Sequence, residues 1–66
     1  MNTPAYPFIA ADKATSAKAV GLSDRVLDEA VRDNELVVHY WGRKPVFRAV
    51  DLDEWIRSLP TERAAS

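Results

Sequence analysis

A chain of 66 residues has room for one domain and one modest core, and with 47% hydrophobic and 29% charged residues its composition is that of a globular protein. It has no cysteine, which excludes a disulfide framework or a thiolate metal site; no apolar run approaches the roughly 18 residues of a membrane span, and no basic region precedes an apolar stretch at the N-terminus, so a cytoplasmic protein is expected. A formal net charge of −1 argues against a uniformly basic surface, yet the charge is unevenly spread: between Leu36 and Arg48 it is carried by Arg43, Lys44 and Arg48, and the acids Asp51, Asp53 and Glu54 follow at once.

Residues 1–10, with two prolines and no hydrophobic period, read as an extended arm that Phe8 and Ile9 can anchor. Asp12 is placed to cap a short helix running to Val20, with Ala17 and Val20 on its inward stripe and Lys13 and Lys18 in solvent. Gly21 ends that helix by accepting left-handed geometry, and Leu22 can pack back into the core. Ser23 is a good N-cap for a second helix from Asp24 to about Asp33. Its buried stripe is Leu27, Ala30 and Val31 with Val26 beside them; Arg25, Asp28, Glu29 and Arg32 form its outer face, and Asn34 stops it.

From Leu36 the pattern changes to the strand LVVHYW, in which alternation sets Trp41 with Val37 and His39 and predicts that the indole packs inward. Gly42, Arg43 and Lys44 make a turn, and PVFR returns as a second short strand whose Pro45 suits an edge or a strand start. Asp51 is expected to cap a last helix in which Leu52, Trp55, Ile56 and Leu59 recur at helical spacing before Pro60. The expected fold is therefore α+β: residues 11–59 hold two short helices, a two-stranded hairpin and a C-terminal helix, and residues 60–66 are a flexible tail.

Two helices joined by a tight Gly-containing turn and followed by a basic hairpin match the order of a winged helix-turn-helix, in which the second helix enters the major groove and the hairpin is the wing. Arg25 and Arg32, seven residues apart, share one helical face and can reach guanine edges or phosphates together; Arg43 and Lys44 suit the wing tip. The DNA-reading set is then Ser23, Arg25, Val26, Asp28, Glu29 and Arg32 on the helix, with Gly42, Arg43, Lys44 and Arg48 on the wing.

The GLS turn, the apolar positions Leu27, Ala30 and Val31, the NEL after the second helix, the GR of the hairpin and the DLDEWI of the last helix together resemble one family: the excisionases, or recombination directionality factors, with a MerR-like winged-helix domain, and among them the small excisionases of mycobacteriophages. The likeness runs from about Ala11 to Leu59. It implies a factor that binds double-stranded DNA at an attachment site, bends it, and helps a tyrosine integrase excise a prophage without itself cutting DNA. It further implies that copies of the protein bind cooperatively along the DNA, and it carries major-groove reading onto Arg25 and Arg32 and minor-groove contact onto Arg43. The chain departs from the family in carrying Asp28 and Glu29 on the outer face, with Asp24 at the helix start. Carboxylates there repel phosphate, although an acid can accept from a cytosine amino group, so linked contacts from further copies or from integrase are expected to supply affinity.

Other readings compete. Arg25 and Arg32 can pair with Asp28 or Glu29 on their own helix, the hairpin cations can be a guard against edge-to-edge aggregation, and a wing-tip Trp41 can instead meet the DNA. A transcriptional regulator uses the same fold, and a protein-interaction module would use the acidic face of the second helix or the terminal helix. His39 has no partner for a zinc site, the acids around Asp51 are explained as first-turn residues, and there is neither a phosphate-binding glycine loop nor a nucleophile with a base, so no metal, cofactor or catalysis is expected.

Overall fold

The structure is a computed structural model and describes residues 6–63. Its elements in chain order are β1 (Ala10–Ala11), α1 (Lys13–Val20), α2 (Asp24–Arg32), β2 (His39–Trp41), β3 (Lys44–Arg48) and α3 (Ala49–Ser58). This is an α+β fold of three helices and a three-stranded antiparallel sheet of order β1-β3-β2.

Local chemistry sets the ends of the first two helices. The Asp12 carboxylate accepts from the Thr15 amide at 2.9 Å, and the Ser23 hydroxyl accepts from that of Val26 at 3.3 Å, so each cap satisfies an amide that the helix leaves open. Gly21 closes α1 at φ 75°: its amide donates to the Lys18 carbonyl, and that of Leu22 to Ala17. Asn34 repeats the device at φ 60°, with its own amide on Val31 and that of Glu35 on Ala30. Leu22 remains more than a third exposed, against the expected return to the core.

The sheet departs from expectation in three ways. A third strand is present, because Ala10 and Ala11 pair with Arg48 and Phe47. The pairing of β2 begins at His39 rather than Leu36, because the Leu36 amide is used at 3.2 Å on the Ala30 carbonyl; Leu36 finishes the α2 cap and is buried there. Pro45 then lies in the central strand. Trp41 pairs with Lys44 across a two-residue turn, so the next pair, Tyr40 with Pro45, is a non-hydrogen-bonded one, and the missing proline donor faces the side where β1 has already ended.

The start of α3 is also corrected. The helix begins at Ala49, Arg48 stands at the cap without a side-chain bond, and Asp51 lies inside the first turn. The open Ala49 amide donates at 2.9 Å to the Ile9 carbonyl, so backbone from the segment before β1 does the work assigned to a capping carboxylate. At the other end Leu59 is extended (ψ 153°), as the residue before Pro60 must be.

The core consists of Ala17, Leu27, Ala30, Leu36, Phe47, Leu52 and Trp55, with Phe8, Val20, Val26, Val31, Val38, Ile56 and Leu59 packed around it. Leu27 and Ala30 of α2, Leu52 and Trp55 of α3 and Ala17 of α1 are buried as the periodicity predicts, whereas on α1 Val20 is half-buried and Ser16, outside the expected stripe, is fully buried. Phe8 anchors the leading segment while Ile9 points to solvent, and Phe47, only 1% exposed, sits at the centre of the sheet's inner face. Residues 1–5 of the expected arm and 64–66 of the expected tail lie outside the described residues.

The Tyr6 hydroxyl donates to Asp53 at 2.6 Å, and Arg57 reaches the other oxygen of the same carboxylate at 3.1 Å, which ties the start of the described chain to α3. The Tyr6 bond, then that of Arg57, hold the Asp53 carboxyl below its ordinary 3.8, and the same contact with Asp53 holds the Tyr6 hydroxyl above 10.0. A depressed carboxyl adds stability that is present above its unfolded value and is lost as pH falls through the folded one; a raised phenol adds stability that is lost as pH rises through its folded value. Tyr6→Phe is expected to lower stability at neutral pH and to flatten its dependence at both extremes. Urea midpoints from about pH 2 to 11 check this, and parallel profiles for the two proteins would remove Tyr6 from the account.

Candidate nucleic-acid interface

The outer face of α2 and the tip of the β2–β3 hairpin carry the residues singled out in the sequence. On α2, Arg25 and Asp28 are exposed, Arg32 is exposed, and Glu29 is half-buried. Val26 packs against the core, and the Ser23 hydroxyl is occupied by capping, so these two shape the helix rather than extend its outer face.

The acids on this face are not paired as expected. Asp28 is bound by Lys13 of α1, whose ammonium lies 3.1 and 3.2 Å from its two oxygens, and Arg32 touches its neighbour Asp33 at 3.5 Å. Arg25 forms no ion pair among the described residues. The surface pair of Lys13 and Asp28 adds little to stability, on the order of 0–1 kcal/mol. Its effect is on charge: a carboxylate that would repel phosphate is held beside an ammonium from the preceding helix.

At the hairpin tip, Gly42 (φ 61°) and Arg43 form the two-residue turn, and Lys44 already belongs to β3. Nothing lies within 4 Å of where a Gly42 side chain would project, so the glycine is required by backbone conformation alone. Arg43 is exposed and in no ion pair among the described residues, whereas Arg48 is 3.8 Å from Asp51. Lys44 lies near Asp12, whose carboxyl is held low chiefly by hydrogen bonding from the Thr15 side chain and amide and, to a smaller extent, by the Lys44 charge. Asp51 also faces His39 at 3.6 Å, which joins the outer face of β2 to α3.

Trp41 does not pack inward; it is 80% exposed. The alternation is real, but its parity is the reverse of the expected one. Leu36 is buried and Val38 half-buried, whereas Val37 is 55% exposed and shares the outward direction of His39 and Trp41. Lys13 is the contributor that sequence reasoning left out of this surface, and Trp41 entered it only as the alternative to inward packing. No local signal joins Lys13 to a carboxylate fifteen residues away; for Trp41, the burial of Leu36 as the end of a helix cap would have set the parity.

Among the described residues no group of three histidines or acids can hold a metal ion, and no helix is long and apolar enough to cross a membrane. No protein-family model, curated protein or solved structure matches the chain.

Proposed function

We propose that the chain is a winged helix-turn-helix protein that binds duplex DNA, with α2 as the major-groove helix and the β2–β3 hairpin as the wing, and that it serves as an excisionase: a cytoplasmic, non-catalytic factor that bends attachment-site DNA and helps a tyrosine integrase remove a prophage. The observation that carries this reading is the pairing of Asp28 with Lys13 while Arg25 and Arg43 stand exposed and without ion pairs among the described residues. A net charge of −1 is compatible with DNA binding only if the acids are kept from the contact surface or neutralised on it, and Asp28, in the middle of the α2 outer face, is neutralised, whereas Asp24 at the helix start is exposed and in no ion pair among the described residues. The half-buried Glu29 weakens single-copy affinity, which is consistent with several copies acting together.

The test is a gel-shift titration on attachment-site duplex against matched random duplex, with and without integrase, at two salt concentrations. Selective, salt-sensitive, stepwise shifts strengthened by integrase are expected, because released counterions compete with every phosphate contact. Selective binding indifferent to integrase would reassign the fold to a transcriptional regulator, and the absence of any duplex binding would remove the DNA reading.

A further inference from the structure

Resting on the DNA reading, we infer that Trp41 is the wedge of the hairpin: its indole enters an opened base step and makes the bend, while Arg43 and Lys44 hold the flanking phosphates.

Trp41 is 80% exposed at the last position of β2, one residue from the turn, and its cross-strand partner is Lys44. A tryptophan this exposed leaves on the order of 150–200 Å² of mostly apolar ring in water. The strand does not need it, since any β-branched residue would serve the same ladder position. Its surroundings also distinguish it from the centre of a protein-docking patch. Gly42, Arg43 and Lys44 follow it directly, the adjacent Tyr40 points to the opposite face of the sheet, and its nearest neighbours on its own face are Lys44 across the strand pair and His39 along the strand, with Val46 and the 55% exposed Val37 beyond them. An aromatic ring beside a turn that carries Arg43 and Lys44 has the chemistry to meet a polyanion with stacked bases, whose phosphates meet the cations and whose base faces meet the ring.

The charge of the chain favours a wedge over wrapping. With a net charge of −1 and few free cations near the hairpin, the protein has little capacity to bend DNA by neutralising one side of it. Stacking on an unstacked step does not draw on net charge, and it localises the bend at a flexible step such as TA or CA.

The experiment uses the full chain and the attachment-site duplex that the wild type shifts. Affinity and salt slope are read by gel shift, bend by energy transfer between end-labelled fluorophores, and ring position by acrylamide quenching, in which Trp41 is the accessible indole because Trp55 is 5% exposed. Trp41→Ala is expected to melt like the wild type, to bind about tenfold or more weakly, and to lose most of the bend, with an unchanged salt slope because stacking releases no counterions. Trp41→Phe is expected to keep the bend and to bind within about threefold of wild type. Duplex should protect the exposed indole of the wild type from acrylamide.

If Trp41→Ala binds and bends DNA as the wild type does while Arg43→Ala weakens binding, the wedge is overturned and the DNA reading stands. If Trp41→Ala leaves DNA binding unchanged but abolishes association with integrase or between copies, the ring is a protein contact and the wedge is equally overturned. A wild type that binds no duplex removes the DNA reading and the wedge with it, an outcome seen before any variant is made.

Discussion

Phe47→Ala is expected to remove a large part of the chain's folding stability and to move its urea midpoint down sharply. Phe47 is 1% exposed, lies in the central strand, pairs with Ala11 of β1, and faces the core shared by the helices. Truncating a buried phenylalanine costs about 3–5 kcal/mol through lost transfer energy and an incompletely collapsed cavity. At about 0.05–0.15 kcal/mol per residue, a chain this short has a total stability of roughly 3–10 kcal/mol, so one side chain accounts for a large part of it. Neither a disulfide nor a cluster able to hold a metal, the latter among the described residues, is present to offset the loss. Urea unfolding followed by far-ultraviolet circular dichroism gives the measurement. Ile9→Ala, at a side chain 89% exposed, is the control and should move the midpoint little. A cost below about 1.5 kcal/mol for Phe47→Ala would mean that the sheet does not centre on this residue.

What the sequence made legible follows from how far each determinant acts. Asp12, Gly21, Ser23 and Asn34 act on amides and carbonyls within a few residues, and the helices they bound are α1 and α2 as read. The stripe of α2 needs only its own periodicity, and Leu27 and Ala30 are buried accordingly. Determinants that act across the chain were not legible. Ala10 and Ala11 carry no strand pattern of their own and become β1 only because β3 offers them a register. Asp51 has the chemistry of a cap, yet the cap is three residues earlier, at Arg48, because the Ile9 carbonyl is already in place for the Ala49 amide. Trp41 shows that a period without its phase is half an answer: the two faces of a strand are related by one residue, and the burial of Leu36 decides which is inside.

The same division runs through the candidate interface. Exposure of Arg25, Arg32 and Arg43 was readable from one helical face and one turn, but which cations remain unpaired was not, because that depends on Lys13 reaching Asp28 from another helix. An ion pair in high dielectric contributes little to folding, so its removal should register in DNA binding and not in stability.

On the DNA reading, reversing Arg25 is expected to have the largest effect on DNA binding among substitutions that leave the fold intact. Arg25 lies in the first turn of α2, on the face shared with Arg32, with no acid drawing its guanidinium away among the described residues. A bidentate contact to guanine is worth about 1–3 kcal/mol, and Arg25→Glu adds a carboxylate facing phosphate, so a loss of about a hundredfold or more is expected on the specific duplex. Arg25→Ala should lose less and should relax selectivity over random duplex, as loss of a base contact does. Arg43→Ala should instead weaken all duplexes alike and lower the salt slope by about one, as loss of a phosphate contact does. Fluorescence anisotropy over a salt series separates these outcomes, and all three variants should melt like the wild type because both side chains are exposed. Equal affinity of wild type and Arg25→Glu for the specific duplex would take α2 out of the groove. It would leave the acidic face of the helix as a surface for a protein partner.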